Sequence, residues 1–132
     1  MDILIGTDII EIDRIKRVLD KPSGEAFRNK VFTNVEQQYC EAKRLAKYES
    51  YASSFAAKEA VAKAFGTGIG ANAAFSEIEV IRKDDGKPYI ELYGKAKQYF
   101  NSIGGISIKL SLSHCECHAQ AFVLITVNDT ID

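Results

Sequence analysis

The sequence lacks both a marked excess of one charge and a long apolar run. It has 17 basic and 18 acidic side chains, for a formal net charge of -1. General nucleic-acid binders are strongly basic, so this balance argues against a nucleic-acid partner, although a local basic patch is still allowed. The longest apolar stretch near the start, residues 3–10, contains Asp8 and is too short to cross a bilayer of about 30 Å as a helix. We expect a cytoplasmic protein without membrane contact.

Proline, glycine and cysteine are also scarce. Two prolines and nine glycines among 132 residues fall well below the roughly 25% that indicates low complexity, so an ordered core is expected. The three cysteines are an odd number, and Cys115 and Cys117 are too close for an ordinary structural disulfide, which predicts reduced thiols. Length and composition predict a single domain over residues 1–132.

The apolar spacing in the first half predicts one strand followed by helices. An Ile- and Leu-rich strand over residues 2–12 leads into a short basic helix that starts at Asp13 and ends before Pro22. Two helices follow, at about 24–31 and from Val35, where Thr33 or Asn34 is the N-cap. Because apolar residues are sparse here, we expect this part to lie at the surface.

An alanine-rich segment at about 49–65 predicts a long central helix, since alanine is the best helix former and permits close packing on a sheet. The remaining elements are predicted as a hairpin of strands 76–82 and 89–93, a helix at 94–102, and strands 106–112 and 119–127. This order indicates an α+β fold with antiparallel strands, the central helix and additional helices.

Asp8 is the first candidate functional residue because it interrupts an apolar strand. A buried carboxylate is costly unless it is paired, hydrogen-bonded or bound to a metal. It could cap a helix or accept backbone hydrogen bonds, or it could serve a function, and the residue alone does not decide between these interpretations.

Glu59 and Lys63 lie four residues apart and therefore share one face of the central helix. On an exposed helix such a pair is usually a surface salt bridge worth a few tenths of a kcal/mol. Their neighbours are small and apolar, which also fits the wall of a cleft.

The segment from Gly66 to Ala71 formally fits the dinucleotide pattern G-x-G-x-x-A. That site requires a strand before the glycines and a helix after them, whereas here the order is reversed, so a Rossmann site is rejected. The loop could still approach a phosphate through its backbone N–H groups, or Gly66 could simply end the helix.

Residues 114–118, His-Cys-Glu-Cys-His, suggest a zinc site. In an extended strand the histidines and cysteines point to opposite faces and cannot close one tetrahedral site, although a turn would weaken this objection. His114, which follows Ser111 and Ser113, is better placed to contact a ligand.

Three separated motifs together resemble the holo-acyl-carrier-protein synthases of the phosphopantetheinyl transferase superfamily. The motifs are Gly6-x-Asp8-Ile9-x-Glu11-Ile12-x-Arg14-Ile15, Phe55-Ala56-Ala57-Lys58-Glu59-Ala60-x-x-Lys63-Ala64-x-Gly66-Thr67-Gly68 and Ser111-x-Ser113-His114. The resemblance extends in order and spacing over nearly the whole chain. It implies the 4'-phosphopantetheinyl transferase fold.

The resemblance also implies an enzyme that moves the 4'-phosphopantetheine arm of coenzyme A to a serine of an acyl carrier protein, in fatty acid biosynthesis. The other product is adenosine 3',5'-bisphosphate. Asp8 and Glu59 would hold Mg²⁺ together with the coenzyme A diphosphate, because Mg²⁺ typically takes one or two carboxylates, phosphates and waters. Lys63 would neutralise or protonate the departing bisphosphate, and the serine proton would pass to Glu59 or to a metal-bound water.

The same resemblance assigns binding residues and an assembly. The residues that would contact coenzyme A are Lys63, Gly66, Thr67, Gly68, Lys87, Pro88 and His114. The basic helix would dock the acidic carrier through Arg14, Lys16, Arg17 and Lys21. The short-chain members of the family are typically homotrimers whose active sites lie at subunit interfaces.

Two positions depart from the family pattern. An arginine often stands just before the Phe-Ala-Ala-Lys-Glu motif, where this chain has Ser53-Ser54, so Lys43, Arg44 or Lys47 would have to meet the 3'-phosphate. Phe75 replaces a frequent tryptophan, which is a packing change. Two other hypotheses stay open at this point: a non-catalytic module that binds a nucleotide or metal, and a structural domain with accidental motifs.

Overall fold

The computed structural model describes residues 1–129, and the last three residues of the predicted 1–132 domain lie outside the described residues. The elements along the chain are β1 (Asp2–Glu11), α1 (Ile12–Asp20), α2 (Gly24–Val31), α3 (Asn34–Ala42), α4 (Lys47–Phe65), β2 (Ile78–Arg82), β3 (Pro88–Leu92), α5 (Gly94–Ser102), β4 (Gly105–His114) and β5 (His118–Val127). Short 3-10 helices at Arg44–Ala46 and Phe75–Glu77 precede α4 and β2. None of the helices within residues 1–129 is long and apolar enough to cross a membrane.

The α+β prediction is confirmed, with the antiparallel strands divided between two sheets. One sheet has three strands in the order β1-β5-β4, and the other consists of the β2-β3 hairpin. The prediction that the first hairpin strand starts at residue 76 is wrong, because Phe75–Glu77 forms a 3-10 helix. The Glu77 carboxylate accepts hydrogen bonds from the backbone N–H groups of Ala74 and Lys95, and these contacts hold the chain in a turn there.

The two faces of β1 have different surroundings. β1 pairs with β5 along its whole length, from Asp2 opposite Val127 to Glu11 opposite His118. Residues of even number on β1 face α4, whereas Ile3, Ile5 and Ile9 alternate with them and stay exposed, Ile5 to 62%. The outer face of the three-stranded sheet is therefore an apolar surface without a cover in one chain.

Helix α4 forms the centre of the core, with twelve of its nineteen residues buried. Small alanine side chains line its contact with the sheet, as the sequence predicts. The closest approach is at Gly6, where a Cβ atom would overlap the carbonyl oxygen of Ala60 and lie 2.8 Å from the backbone nitrogen of Ala64. Only glycine fits there, and its position fixes Asp8, two residues further on, on the face that meets α4.

A buried ion pair joins α3 to α4. Lys58 and Glu36 are both fully buried, with 2.8 Å between Nζ and Oε1. Lys58 also donates to the carbonyl oxygens of Phe75 and Ile78, while Glu36 accepts from the backbone N–H groups of Thr33 and Val80. Burial lowers the pKa of Lys58, and the Glu36 carboxylate opposes that shift. The expectation of a surface position is wrong for Glu36 and equally for Cys40, which is fully buried on the same helix.

The Lys58–Glu36 pair yields a stability prediction. Lys58→Met should lower the free energy of unfolding by about 3–5 kcal/mol, because Glu36 is left as a buried charge without its partner. Urea denaturation followed by circular dichroism measures this change. The matched control is Lys97→Met on the exposed side of α5, for which a change within about 0.5 kcal/mol is expected. Equal effects of the two substitutions would contradict the assignment.

Candidate active site

Two carboxylates, one from the sheet and one from the central helix, line the same cavity. Asp8 on β1 and Glu59 on α4 border a cavity of about 340 Å³ between α1 and α4. Its other walls are largely apolar and include Phe27 and Phe55, and Arg14 of α1 also lines it. The cleft-wall interpretation of Glu59 is therefore the one that the structure supports.

Lys63 pairs with Asp8 rather than with its helical neighbour Glu59. Lys63 Nζ lies 2.9 Å from Asp8 Oδ1, and the Asp8 side chain is only 15% exposed whereas that of Lys63 is 54% exposed. Asp8 thus has the partner that a largely buried carboxylate requires. Within the described residues Glu59 has no salt-bridge partner, so the simple surface pair between Glu59 and Lys63 does not form.

Burial raises the pKa of Glu59, and the negative charge of Asp8 adds to this effect while Lys63 opposes it. The repulsion shows that the two carboxylates are electrostatically close. With Lys63 beside Asp8 and Arg14 in the cavity wall, charges of both signs meet at this site.

A second, larger cavity of about 550 Å³ contains the predicted ligand residues His114 and Pro88. It lies where the start of α4 meets the β2-β3 hairpin and the end of β4. His114 Nε2 lies 3.0 Å from Glu49 Oε1. Among the residues proposed to replace the missing arginine, Lys43 lines this cavity, whereas Arg44 and Lys47 do not.

Sequence reasoning missed Arg82, a cation of this second cavity. Arg82 donates to Ser54 Oγ at 3.3 Å, and its guanidinium lies 4.4 Å from the centre of the Tyr39 ring. Lys43 Nζ lies 4.7 Å from the same ring. The sequence signal for Arg82 is its position at the end of a strand that leads into the Gly-Lys-Pro turn. Its partners Ser54 and Tyr39 lie on helices that are distant in sequence, so the sequence did not show the contacts.

The other predicted coenzyme A residues lie outside both cavities. Gly66 ends α4 in the left-handed conformation, with φ of 83°, and its N–H bonds to the Lys63 carbonyl. The loop Gly66–Gly68 lines neither cavity. Of the two interpretations of this loop, the structure supports the one in which Gly66 ends the helix. Lys87 borders an adjoining cleft together with Lys83 and Lys109.

The His-Cys cluster forms a tight hairpin rather than an extended strand. The Cys115 N–H bonds to the His118 carbonyl, and the Cys117 carbonyl accepts from the Ile12 N–H at the start of α1. The objection that histidines and cysteines point to opposite faces of an extended strand therefore does not apply to residues 114–118. Even so, no group of three or more His, Cys, Asp or Glu side chains within residues 1–129 is arranged to hold a metal ion, and the zinc interpretation gains no support.

The two cavities are separate within one chain. They share no lining residue, although Ser53 of the larger cavity and Phe55 of the carboxylate cavity are only two residues apart on α4. One chain therefore presents two distinct cavities, and the two carboxylates and His114 line different ones.

Comparison with known proteins identifies the family. Residues 4–119 match the model of a family described as the 4'-phosphopantetheinyl transferase superfamily. The chain belongs to this superfamily. The match covers most of β1, the central helix and the strand that ends at His114, which together carry Asp8, Glu59, Lys63 and His114.

Relatives in the phosphopantetheinyl transferase superfamily share most of the chain. A holo-[acyl-carrier-protein] synthase of Ruminiclostridium cellulolyticum is 55% identical over 130 residues, covering 98% of this chain and 96% of the relative. The crystal structure of the Helicobacter pylori holo-[acyl-carrier-protein] synthase in complex with coenzyme A is 30% identical, covering 93% of this chain and all of that chain, with a TM-score of 0.82. The Bacillus anthracis enzyme in complex with CoA (3',5'-ADP) is 35% identical, covering 95% and 96%, with a TM-score of 0.77.

The cations of α1 are engaged to different degrees. Lys16 and Arg17 form salt bridges with Asp20 and Asp13 at 3.0 and 3.2 Å, one helical turn away. Arg14 instead lines the carboxylate cavity. For this member of the phosphopantetheinyl transferases, α1 thus connects an outer charged face to the cavity of Asp8 and Glu59.

The electrostatic coupling of the carboxylates yields a pH prediction. Asp8→Asn should lower the pKa of Glu59 because it removes a negative neighbour, whereas Lys63→Met should raise it. Carboxyl NMR titration of Glu59 measures both shifts, and Asp13→Asn on the exposed face of α1 is the control. Identical Glu59 titrations in the Asp8→Asn and control proteins would contradict the coupling.

Proposed function

We propose that this chain transfers the 4'-phosphopantetheine arm of coenzyme A to a serine of an apo acyl carrier protein, with release of adenosine 3',5'-bisphosphate, in fatty acid biosynthesis. Relatives that match nearly the whole chain are named for this activity, and two similar structures contain coenzyme A or its nucleotide. The observation that carries the proposal is that Asp8 and Glu59 line one cavity while Lys63 pairs with Asp8.

The donor set of this cavity fits Mg²⁺. Two carboxylates lie near each other, and the described residues offer no third acidic or imidazole ligand. Mg²⁺ commonly binds in this way, with the remaining positions taken by substrate phosphates and waters. Asp8 and Glu59 would hold the ion, and it would supply charge stabilisation for the diphosphate oxygens during attack by the serine.

Lys63 and Glu59 are suited to the proton and charge movements of the transfer. Lys63 is exposed enough to turn from Asp8 toward the departing bisphosphate, where it would neutralise or protonate the leaving oxygen. The sequence left Glu59 and a metal-bound water as alternatives for the general base.

The larger cavity is suited to the nucleotide part of coenzyme A. His114 and Pro88 line it, in agreement with the roles that the resemblance assigns to them. Lys43 and Arg82 would meet the 3'-phosphate, so that Arg82, which bonds to Ser54, supplies the cation that the family often places at the Ser54 position. A guanidinium is well matched to a phosphate because it donates two parallel hydrogen bonds.

We propose a homotrimer in which each active site combines half-sites from two chains. The carboxylate cavity of one subunit would face the nucleotide cavity of the next, which accounts for their separation within one chain. The uncovered outer face of the three-stranded sheet supports this assembly, because Ile3, Ile5, Ile9 and Phe122 are exposed there. Contiguous apolar surface of this kind marks protein contacts.

The carrier would dock on α1, where Arg14, Lys16, Arg17 and Lys21 offer positive charge to an acidic partner. Complementary charge mainly accelerates encounter and fixes orientation. We place the activity in the cytoplasm, in keeping with the three cysteines, which are all free thiols.

Incubation with coenzyme A, Mg²⁺ and an apo acyl carrier protein tests the function, because only a transferase adds the mass of phosphopantetheine to the carrier. A non-catalytic module would bind nucleotide or metal and leave the carrier mass unchanged. A structural domain would neither bind nucleotide or metal nor modify the carrier. An unmodified carrier at high enzyme concentration would overturn the proposal.

The metal assignment predicts the effect of removing either carboxylate. Asp8→Ala and Glu59→Ala should each lower the transfer rate about a hundredfold or more, because each removes a ligand from a site that contributes several kcal/mol to the transition state. Turnover at saturating coenzyme A and Mg²⁺ should be measured together with thermal melting. Glu25→Ala on the exposed surface of α2 is the control. Full activity in either variant would refute the metal site, and unfolding of Asp8→Ala would indicate a structural role.

The shared-site trimer predicts complementation between inactive variants. Refolding Asp8→Ala together with His114→Ala should restore part of the activity, because some interfaces then combine an intact carboxylate half-site with an intact His114. Asp8→Ala mixed with Glu59→Ala is the control, since both lesions fall in the same half-site and no mixed interface is intact. Turnover and sedimentation of the exchanged mixtures measure the outcome. A fully active monomer, or equal absence of recovery in both mixtures, would overturn the model.

A further inference from the structure

Tyr39 is the residue at which two cations of the larger cavity meet. It lies on α3, four residues before Lys43 at the end of this helix, so the two side chains project from the same face. Lys43 Nζ lies 4.7 Å from the centre of the Tyr39 ring, and the guanidinium carbon of Arg82 lies 4.4 Å from the same point. All three residues line the larger cavity. One ring therefore joins a cation at the end of α3 to a cation at the end of β2.

The two cations have no acidic partner in the described part of the chain. Neither Lys43 nor Arg82 forms a salt bridge within residues 1–129. Glu49, the one carboxylate among the described residues that line this cavity, lies 3.0 Å from His114 Nε2. Like charges beside one cavity repel each other, and an anion in the cavity relieves this repulsion. The arrangement therefore points to a ligand group with a concentrated negative charge.

The pair of lysines around Tyr48 provides a comparison. Lys16 Nζ and Lys47 Nζ lie 5.3 and 5.2 Å from the centre of that ring. There each lysine forms its own salt bridge with a carboxylate, at 3.0 and 3.5 Å. Tyr48 also lines neither the larger cavity nor the carboxylate cavity. The uncompensated charges are thus a property of the cluster around Tyr39 and do not accompany every tyrosine with two cations.

Arg82 is held by two groups that leave its charge intact. Its Nη1 donates to Ser54 Oγ at 3.3 Å, while the guanidinium lies over the Tyr39 ring. A guanidinium has five N–H donors, so most of them stay available to a ligand. The neighbouring Cys40 stays neutral, because burial raises the pKa of its thiol to about 12. The positive charge of Arg82 is therefore oriented by its neighbours and not cancelled.

We propose that Tyr39 is a positioning residue that holds Lys43 and Arg82 together for the 3'-phosphate, so that the chain selects coenzyme A over 3'-dephospho-coenzyme A. This inference rests on the proposed function, in which the two cations meet that phosphate. The negative face of an aromatic ring attracts cations, so the ring restricts two flexible side chains. A phosphate monoester carries nearly two negative charges at neutral pH, whereas the hydroxyl of the dephosphorylated donor carries none. Loss of the ring should therefore weaken the selection between donors.

Calorimetric titration with two nucleotides tests this role without turnover. The wild-type protein should bind adenosine 3',5'-bisphosphate about tenfold more tightly than adenosine 5'-monophosphate, or better, because only the first has a 3'-phosphate. Tyr39→Leu should lower this ratio about fivefold to tenfold, since two cation–ring contacts are lost. Tyr48→Leu is the matched control and should keep the wild-type ratio. An unchanged ratio in Tyr39→Leu overturns the proposal, and so does equal weakening of both nucleotides, which would place the ring against the base.

Two further replacements separate the ring from the hydroxyl and from folding. Tyr39→Phe should keep the wild-type ratio, because the proposal assigns the contact to the ring. Replacement of Tyr39 by pentafluorophenylalanine preserves the aromatic shape but removes the negative ring face, so the ratio should fall as in Tyr39→Leu. Thermal melting confirms folding, and the fluorinated protein decides the question if Tyr39→Leu does not fold. Lost selection in Tyr39→Phe, or full selection in the fluorinated protein, overturns the role of the ring.

Turnover separates this inference from the proposed function. Tyr39→Leu should raise the KM for coenzyme A about fivefold to tenfold, while kcat and the KM for 3'-dephospho-coenzyme A stay within about twofold. A fall in kcat with both donors would indicate a general structural role and overturn the proposal. If the wild-type protein selects the 3'-phosphorylated nucleotide but transfers nothing, the proposed function fails while the selective site stands. If it transfers from both donors with equal KM, the function stands and this inference fails.

Discussion

The rest of the structure depends on how closely β1 crosses α4. At Gly6 the strand backbone lies against the helix backbone between Ala60 and Ala64, and no side chain fits between them. Because successive inward residues of a strand are two apart, this contact sets the position of Asp8. Because residues four apart share a helix face, the same contact turns Glu59 and Lys63 toward that strand. The three groups meet without any loop to position them, which suits chemistry that requires fixed distances.

Neighbouring residues of α4 divide structural and chemical roles between them. Lys58 points into the protein and binds Glu36 and two carbonyl oxygens, whereas Glu59, one residue further, faces the cavity with Asp8. A step of one residue turns the helix by about 100°, which separates the two side chains despite their adjacency. The Lys58 contacts attach α3 and the start of β2 to α4, and Arg82 at the end of β2 lines the larger cavity. The buried pair thus supports the wall of that cavity from within.

Local patterns in the sequence predicted most of the elements, because those elements depend on local preferences. Alanine content indicated α4, and the Thr33 cap forms with Glu36 as the spacing suggests. The burial of Glu36 was not predictable, since it depends on a lysine 22 positions away that only the fold brings near. Arg82 was missed for the same reason. The family motifs predicted roles for Asp8, Glu59 and Lys63, but the pairing of Lys63 with Asp8 instead of Glu59 depends on the packing of β1 on α4.

The burial of α4 on almost all sides determines how the protein can fluctuate. A helix at the centre of the core is released only when the surrounding sheet and helices separate, so its amide hydrogens exchange with solvent mainly through global opening. We therefore expect the middle of α4, which carries Glu59, to be the most slowly exchanging part of the molecule. The hairpin tip at Cys115–Cys117 lies at the periphery, where opening needs far less free energy. Local opening there leaves the positions of Asp8 and Glu59 unchanged.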